Sequence, residues 1–426
     1  MFGKRARFIA AAAAAALVFA SCSSSKPTSN SSTGSTTPPS SSAGGASSGG
    51  NGETVTIGVL TDLSGAASSG NQTFINGIKA GQVLAKRDGY TIKYVTADTE
   101  TSPAAALTAA QKLVTQDHVI AVLAQSAITF AAAPYLNAHH VPVIGVAEDA
   151  AEWGTDLNMF PIGGALHINV VTTTFGLLLK LLGAANLGTL GYGISPSSAD
   201  SALAAAKSVE LAGLKSGYVN SNFPFGSTNV QPVAIAMKSA GVDSFYASVD
   251  PNTGFALITA LRQSGVGLKA AVLPDGYGAD TLQAGPGALQ AAQNVYFTLG
   301  YEPVEMNTTA TKQFQSDLAA SGTAGVPTYS EYNGYTSIGL LVRALQSAGS
   351  NPTQASLLTA LSNIHDWAAL GLWGGRTVDI NNRTEVGSPT LCSYVAKLVG
   401  TNFQVVAGAE PICGTVVPGV TVGSSS

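Results

Sequence analysis

Charge is what this chain has least of. Lys, Arg, Asp and Glu together make up only 10% of its 426 residues, and the formal net charge is −4. Neither the basic footprint of a nucleic-acid-binding surface nor a polyanionic tail is present. Histidine is scarce and scattered, at His118, His139, His140, His167 and His365. No H-E-x-x-H and no carboxylate spacing completes a metal shell around any of them, so all five read as structural or surface residues. A G-x-S-x-G elbow and a Ser/His pair are also missing, which leaves a secreted hydrolase nothing but the existence of carboxylates such as Asp149 and Asp275. No catalytic residue, metal or cofactor is expected. The balance leaves small molecules or protein partners as candidates.

The apolar run from Phe8 to Ala20 is too short to cross a bilayer. Behind Lys4, Arg5 and Arg7, and ahead of the small Ala20 and Ser21, it has the layout of an export leader. Val18-Phe19-Ala20-Ser21-Cys22 resembles the bacterial lipoprotein box, with Phe19 where that motif prefers Leu. The resemblance implies removal of residues 1–21 and a diacylglycerol thioether on Cys22; the alternative is a plain secretory leader with an incidental cysteine. Residues 22–52 are nearly all Ser, Thr, Gly, Pro and Asn, with Lys26 the one charge, a composition that buries nothing and serves as a flexible spacer. The expectation is an exported protein anchored by lipid at the outer face of the cell membrane. Cys392 and Cys413 flank a hairpin pattern (Ser393 to Val399, then Phe403 to Val406), show neither C-x-x-C nor zinc spacing, and in an oxidising location read as a disulfide.

From Glu53 onward the pattern is strand, then helix, repeated. Thr54 to Leu60 alternates and is β-branched, Thr73 to Arg87 carries a partly apolar helical face, and Tyr90 to Thr96 returns as a strand. Ser102 can cap the next helix, with Pro103 at its first position and Ala106, Leu107, Ala110, Leu113 and Val114 at helical spacing. Val119 to Leu123 and Val141 to Val146 are continuous apolar runs of the kind buried in parallel sheets. The alternation restarts after Pro161, with a helix expected over Ile168 to Leu182, a strand at Gly188 to Tyr192, a helix over Ser198 to Ala212, and Asn229 as a further cap. The fold class is therefore α/β: two doubly wound open-sheet lobes.

Ligands of such sheets bind outside the carboxyl ends of the strands. The residues there are Asp62 to Gly70, Asp98, Gln125 to Thr129, Ala147-Glu148-Asp149, Asp250-Pro251-Asn252 and Asp275-Gly276-Tyr277-Gly278. Hydroxyls and backbone N–H groups around Ser126 form a ready carboxylate site. Each polar residue has an alternative role in capping or turn formation. Asp62, Asp98 and Asn252 are read that way; Ser126, Glu148, Asp149 and Asp275 stay open between the two roles.

Ile57-Gly58-Val59-Leu60-Thr61-Asp62-Leu63-Ser64-Gly65, the Asp98 to Val114 segment, Ala131-Ala132-Ala133-Pro134, Val141-Pro142-Val143-Ile144 and the Tyr335 to Gly349 helix resemble the type I periplasmic binding proteins of the leucine/isoleucine/valine-binding family. The resemblance covers roughly Glu53 to Cys413. It implies two lobes joined by three crossovers, 53–164 with 298–368 and 165–297 with 369–413, followed by a flexible tail at 414–426. Hinges are expected near Pro161 to Ala165, Gln293 to Thr298 and Trp367 to Gly374. It also implies a monomer that closes on a small ligand and delivers it to an ABC permease and ATPase complex. Carried over residue by residue, the serine that holds a ligand carboxylate falls at Ser126, the acid that pairs with an ammonium falls on Asp275, and a threonine of the site is replaced by Asp149 with Glu148 beside it. Covering tyrosines are replaced by Ser69, a small residue near Ser198, and Val249, with Tyr277, Tyr329 or Tyr332 as substitute walls. The ligand-binding set is thus Ser69, Gln125, Ser126, Ala147, Glu148, Asp149, Asp250, Asp275 and Tyr277. Its acids would repel a carboxylate and suit an amine, amide or related nitrogen compound. A ligand-sensing surface lipoprotein that signals to a membrane receptor has the same fold and is the alternative.

Overall fold

A computed structural model of the chain describes residues 53–165, 167–384 and 391–423. The expected leader, Cys22 and the spacer lie outside them. The first sheet is built from β1 (Glu53–Thr61), β2 (Tyr90–Asp98), β3 (Val122–Gln125), β4 (Val143–Gly145) and β5 (Met159–Pro161), in the order β2-β1-β3-β4-β5. All its pairings are parallel. Helices cover both faces, which is why β3 and β4 are buried along their whole length and read as unbroken apolar runs.

After β6 (Val170–Thr172), the second array supplies β7 (Asn186–Tyr192), β8 (Lys215–Phe223), β9 (Ser244–Ser248), β10 (Ala270–Leu273) and β11 (Tyr296–Leu299), and the chain returns as β12 (Cys392–Val399), β13 (Asn402–Val405), β14 (Ile412–Cys413) and β15 (Val416–Thr421). The second sheet runs β13-β12-β11-β10-β9-β7-β8, parallel from β8 to β11 and antiparallel at β12 and β13. Strand order therefore reverses between β1 and β3 in one sheet and between β7 and β9 in the other. Those are the positions at which doubly wound sheets open a crevice. Cys392 and Cys413 form a disulfide at facing positions of β12 and β14.

The Tyr329–Ala348 helix lies buried along nearly its whole length and starts with a capping box, Thr328 accepting from the Glu331 amide and Glu331 from the Thr328 amide. It approaches the Phe74–Arg87 helix backbone to backbone: a Cβ on Gly77 would stand 2.2 Å from the Glu331 carbonyl oxygen, and one on Gly334 2.3 Å from that of Phe74. Glycine at both positions allows this approach, which brings Tyr329 and Asn333 to the cleft.

Several expectations are corrected. The helix expected from Ile168 begins only at Thr174, because the β-branched Val170–Thr172 is extended and pairs antiparallel with β15. That pairing also gives residues 416–421 of the expected tail a strand structure. Ser102 occupies the cap position of the Pro103–Thr115 helix but its side chain makes no capping bond, and the helix after Asn229 starts instead behind Val230. Thr298 and Leu299 belong to β11 of the second sheet, past the expected 297/298 boundary. Beyond the expected 368/369 boundary the chain still packs on the first lobe: the Arg383 guanidinium donates to the carbonyls of Trp153 (2.8 Å) and Met159 (2.6 Å).

Candidate functional site

At the carboxyl ends of both sheets lies a cavity of about 240 Å³, at the small end for a metabolite site. The first lobe lines it with Gly70, Asn71, Ala127, Ala147 and Glu148, the second with Tyr192, Ser195, Ser197, Ser198, Ser201, Phe225, Ser248, Asp250 and Asp275, and Tyr329 completes the wall. Among the lining residues there is no Lys, Arg or His. A neighbouring cavity of about 160 Å³ shares Val146, Ala147 and Tyr329 and extends toward Gly163, Gly164, Gly300 and Trp373, in or beside the segments expected as hinges.

The lobes touch directly around the cavity. The Ser197 amide donates to the Asp149 carbonyl at 3.0 Å, the Ser195 hydroxyl reaches the same oxygen at 3.5 Å, and Ser69 Oγ donates to Asp250 Oδ1 at 3.4 Å. This is a closed arrangement.

Of the nine residues expected to bind ligand, Ala147, Glu148, Asp250 and Asp275 line the cavity, and Ser69 stands beside it through Asp250. The other four are turned elsewhere. Ser126 is fully buried and donates to Asp62 Oδ1 at 2.6 Å; its neighbour Gln125 donates to Asn71 and to Ser330, each at 2.8 Å. Asp149 accepts from the Phe130 amide (2.6 Å) and from Trp153 Nε1 (2.9 Å), so its carboxylate ties two turns together rather than facing a ligand. Tyr277 is buried, packs its ring at a tilt against Phe403 and donates to Glu305 at 2.7 Å. Asp62, read as a turn residue, is instead the centre of a buried network, while Asp98 does tie a turn by accepting from Leu63 and Ser64.

The two acids that do face the cavity come from opposite lobes, and they are short of partners. Glu148 Oε1 is sealed from water without a hydrogen bond. Burial first, then the nearby Asp275, Asp62 and Asp149 carboxylates, push its carboxyl well above the usual range. Asp275 meets no hydrogen-bond donor among the described residues, and burial with the charges of Asp250 and Asp280 raises it to about 7. Asp250 differs: it caps the Pro251–Gln263 helix, accepting from the Asn252 amide (2.9 Å) and Thr253 amide (3.2 Å), and it also accepts from Tyr192 and the Thr253 hydroxyl. Asn252 is thus the recipient of a cap, not the cap itself.

Residues that the strand-end survey of the sequence passed over are the serines at the start of the Pro196–Leu211 helix, Tyr192, and Phe225, whose ring meets Tyr192 edge-on at 4.7 Å. All follow or end a strand at the crevice side, β7 or β8. The strand-end rule that selected Asp250 and Asp275 would have selected them too.

Two doubly wound lobes that shut over a polar cavity at their strand ends define a bilobal small-molecule-binding protein. The chain belongs to the periplasmic binding protein family, which its residues 54–402 match, and the fold is that of the type I members. Among solved structures it is similar to a possible leucine/isoleucine/valine-binding protein from Rhodopirellula baltica (15% identity, TM-score 0.71, 85% of this chain and 98% of that one). It is also similar to a solute-binding protein of an ABC transporter from R. palustris in complex with 4-hydroxybenzoate (18%, 0.68, 87% and 97%) and to the branched-chain amino acid transporter substrate-binding protein LivJ from Streptococcus pneumoniae in complex with isoleucine (20%, 0.66, 85% and 99%). No curated protein matches the sequence.

Proposed function

We propose that the chain is the solute-binding lipoprotein of an ABC importer, held to the membrane through Cys22, and that its solute carries a positively charged nitrogen. The observation that carries this reading is the pair Glu148 and Asp275: carboxylates from opposite lobes, aimed at one cavity, with no basic side chain in its lining. A buried carboxylate without a counter-charge is costly. An amine drawn in during closure relieves that cost for both and so favours the closed form over the open one. Delivery to a permease and ATPase is supported by the family and by the descriptions of the R. palustris and S. pneumoniae neighbours. Asp250, Ala147 and Ser69 shape the site, and the protein acts as a monomer.

A thermal-shift series over amino acids, amides, polyamines, urea-like compounds and sugars tests the reading, since a ligand of the native state raises Tm with its concentration. A nitrogen compound should score, and Asp275→Ala should weaken it by about 2–5 kcal/mol, the cost of leaving a buried partner unpaired. Stabilisation by sugars alone, or calorimetric affinity unchanged in Asp275→Ala, overturns the charged-nitrogen part. Cys22→Ser should move the protein from the membrane to the soluble fraction; continued membrane retention would contradict lipidation there.

A further inference from the structure

Three of the helix starts and turns that open on the cavity are already closed by acceptors of the protein itself. In the turn after β3, Asp62 takes the Ser126 hydroxyl at 2.6 Å and the Ala127 amide at 2.9 Å, as well as Asn71 Nδ2 at 2.7 Å and the Thr99 hydroxyl. The following amides are committed too: Ile128 to Ser126 Oγ at 3.2 Å, Thr129 to the Ser126 carbonyl at 3.4 Å, and Phe130 to Asp149 at 2.6 Å. At the Pro196–Leu211 helix, the Ser197 amide donates to the Asp149 carbonyl and the Ser198 amide to Ser195 Oγ. At the Pro251–Gln263 helix, Asp250 takes the first two free amides. A helix start holds an anion by offering uncommitted N–H groups, and none of these three offers them.

We propose that the solute is an amine that lacks a carboxylate, and that Asp62 excludes amino acids by occupying the donors of the turn after β3. The inference rests on the cavity being the solute site. An amino acid would bring its carboxylate into a space that has no basic side chain and whose three helix-start and turn donor sets are committed, facing Glu148 and Asp275, whose charged forms would repel it. An amine without that group can pair with both carboxyls in their charged forms, beside the aromatic rings of Tyr192, Phe225 and Tyr329. Exclusion then comes from an interaction built against the wrong ligand as well as from attraction to the right one.

The test is calorimetric titration of the whole protein with matched pairs that differ by the carboxylate: lysine and cadaverine, arginine and agmatine, leucine and 3-methylbutylamine. At least one amine should bind, and more tightly than its amino acid by about tenfold or more, a difference of about 1.4 kcal/mol. An amino acid that binds as well as its amine, or better, overturns the exclusion of carboxylates while leaving a charged-nitrogen site intact. Failure of all three amines overturns the proposal; if 4-hydroxybenzoate then binds, the charged-nitrogen reading falls with it. In Asp62→Ala, with folding checked by circular dichroism, the freed Ser126 hydroxyl and Ala127 amide should raise affinity for the amino acid and narrow the ratio within the pair. A folded variant with an unchanged ratio removes Asp62 as the excluding residue, and if the variant does not fold, the matched pairs on the unaltered protein still decide.

Discussion

Ser69 Oγ donates to Asp250 Oδ1 at 3.4 Å, and so joins the Ser68–Asn71 turn of one lobe to the cap of the Pro251–Gln263 helix in the other. The bond is long and Asp250 is otherwise fully served, by two amides and two hydroxyls. It exists only while the lobes are shut, so its removal acts on closure and not on either lobe alone. Ser69→Ala should cost at most about 0.5–1.5 kcal/mol of closed-state stability. Ligand release measured by stopped flow should quicken by up to about tenfold, with the melting temperature of the unliganded protein unchanged. Equal release rates would show that the Ser197 amide to Asp149 carbonyl bond, at 3.0 Å, holds the seam without it.

The Gly77–Gly334 crossing sets where Tyr329 and Asn333 stand, and its tolerance for added volume is nil because the atoms that a Cβ would strike are backbone. Gly77→Ala should therefore destabilise by at least the about 1–3 kcal/mol typical of overpacking and weaken ligand binding as the late helix shifts. Gly287, in the Pro286–Ala292 helix, has a negative φ and nothing within 4 Å of the place an added methyl would take. Gly287→Ala should be neutral or stabilising by about 0.5–1 kcal/mol. Denaturant titration of the pair checks both signs, and equal effects would contradict the account of the crossing.

Cys392 and Cys413 are 21 residues apart in sequence, and their bond pins β14 to β12 next to the return of the chain. A loop of that length adds about 3 kcal/mol by restricting the unfolded chain. Reductant, or Cys392→Ser with Cys413→Ser, should lower the calorimetric melting temperature by several degrees. Neither cysteine lines the cavity, so affinity measured well below the melting temperature should stay the same.

Strands and helices were legible because their signals are local: continuous apolar runs for β3 and β4, and Ser102 with Pro103 and the Ala106, Ala110, Leu113 stripe for the helix they begin. The site was legible only as a set of strand ends. Asp62 looked like a turn residue because its partners Asn71, Thr99 and Ser126 are separated from it by 9, 37 and 64 positions, and no spacing rule links them. Between the adjacent acids Glu148 and Asp149, the choice of which faces the ligand depends on Trp153 Nε1 and the Phe130 amide capturing the second. The pairing of β6 with β15 joins segments far apart in the sequence, and so the extended form of Val170–Thr172 was hidden behind an apolar run with helical spacing.

Acid should move stability and affinity in opposite directions. Asp275 at about 7, Asp149 and Asp280 at about 6, and Glu148 well above the usual range are all raised chiefly by burial, whereas the unfolded carboxyls titrate near about 4. Between those values the folded chain binds more protons than the unfolded one, so the contribution of Asp149, Asp280 and Asp275 to stability is complete below about pH 4 and is lost as pH rises through about 6 to 7, with Glu148 acting in the same direction. Asp98, Asp243 and Asp379, held low by hydrogen bonds against their partial burial, act the other way, but only in more acidic solution. The unliganded protein should accordingly melt higher at pH 5 than at pH 8. Amine binding needs Glu148 and Asp275 in their charged forms, so affinity should fall over the same interval, and binding near neutral pH should release protons. Titration calorimetry in two buffers of different ionisation enthalpy reads that release directly. Proton uptake on binding, or affinity that improves on acidification, would mean that the ligand meets these carboxyls in their neutral forms, as an amide or an acid would, and not as a cation.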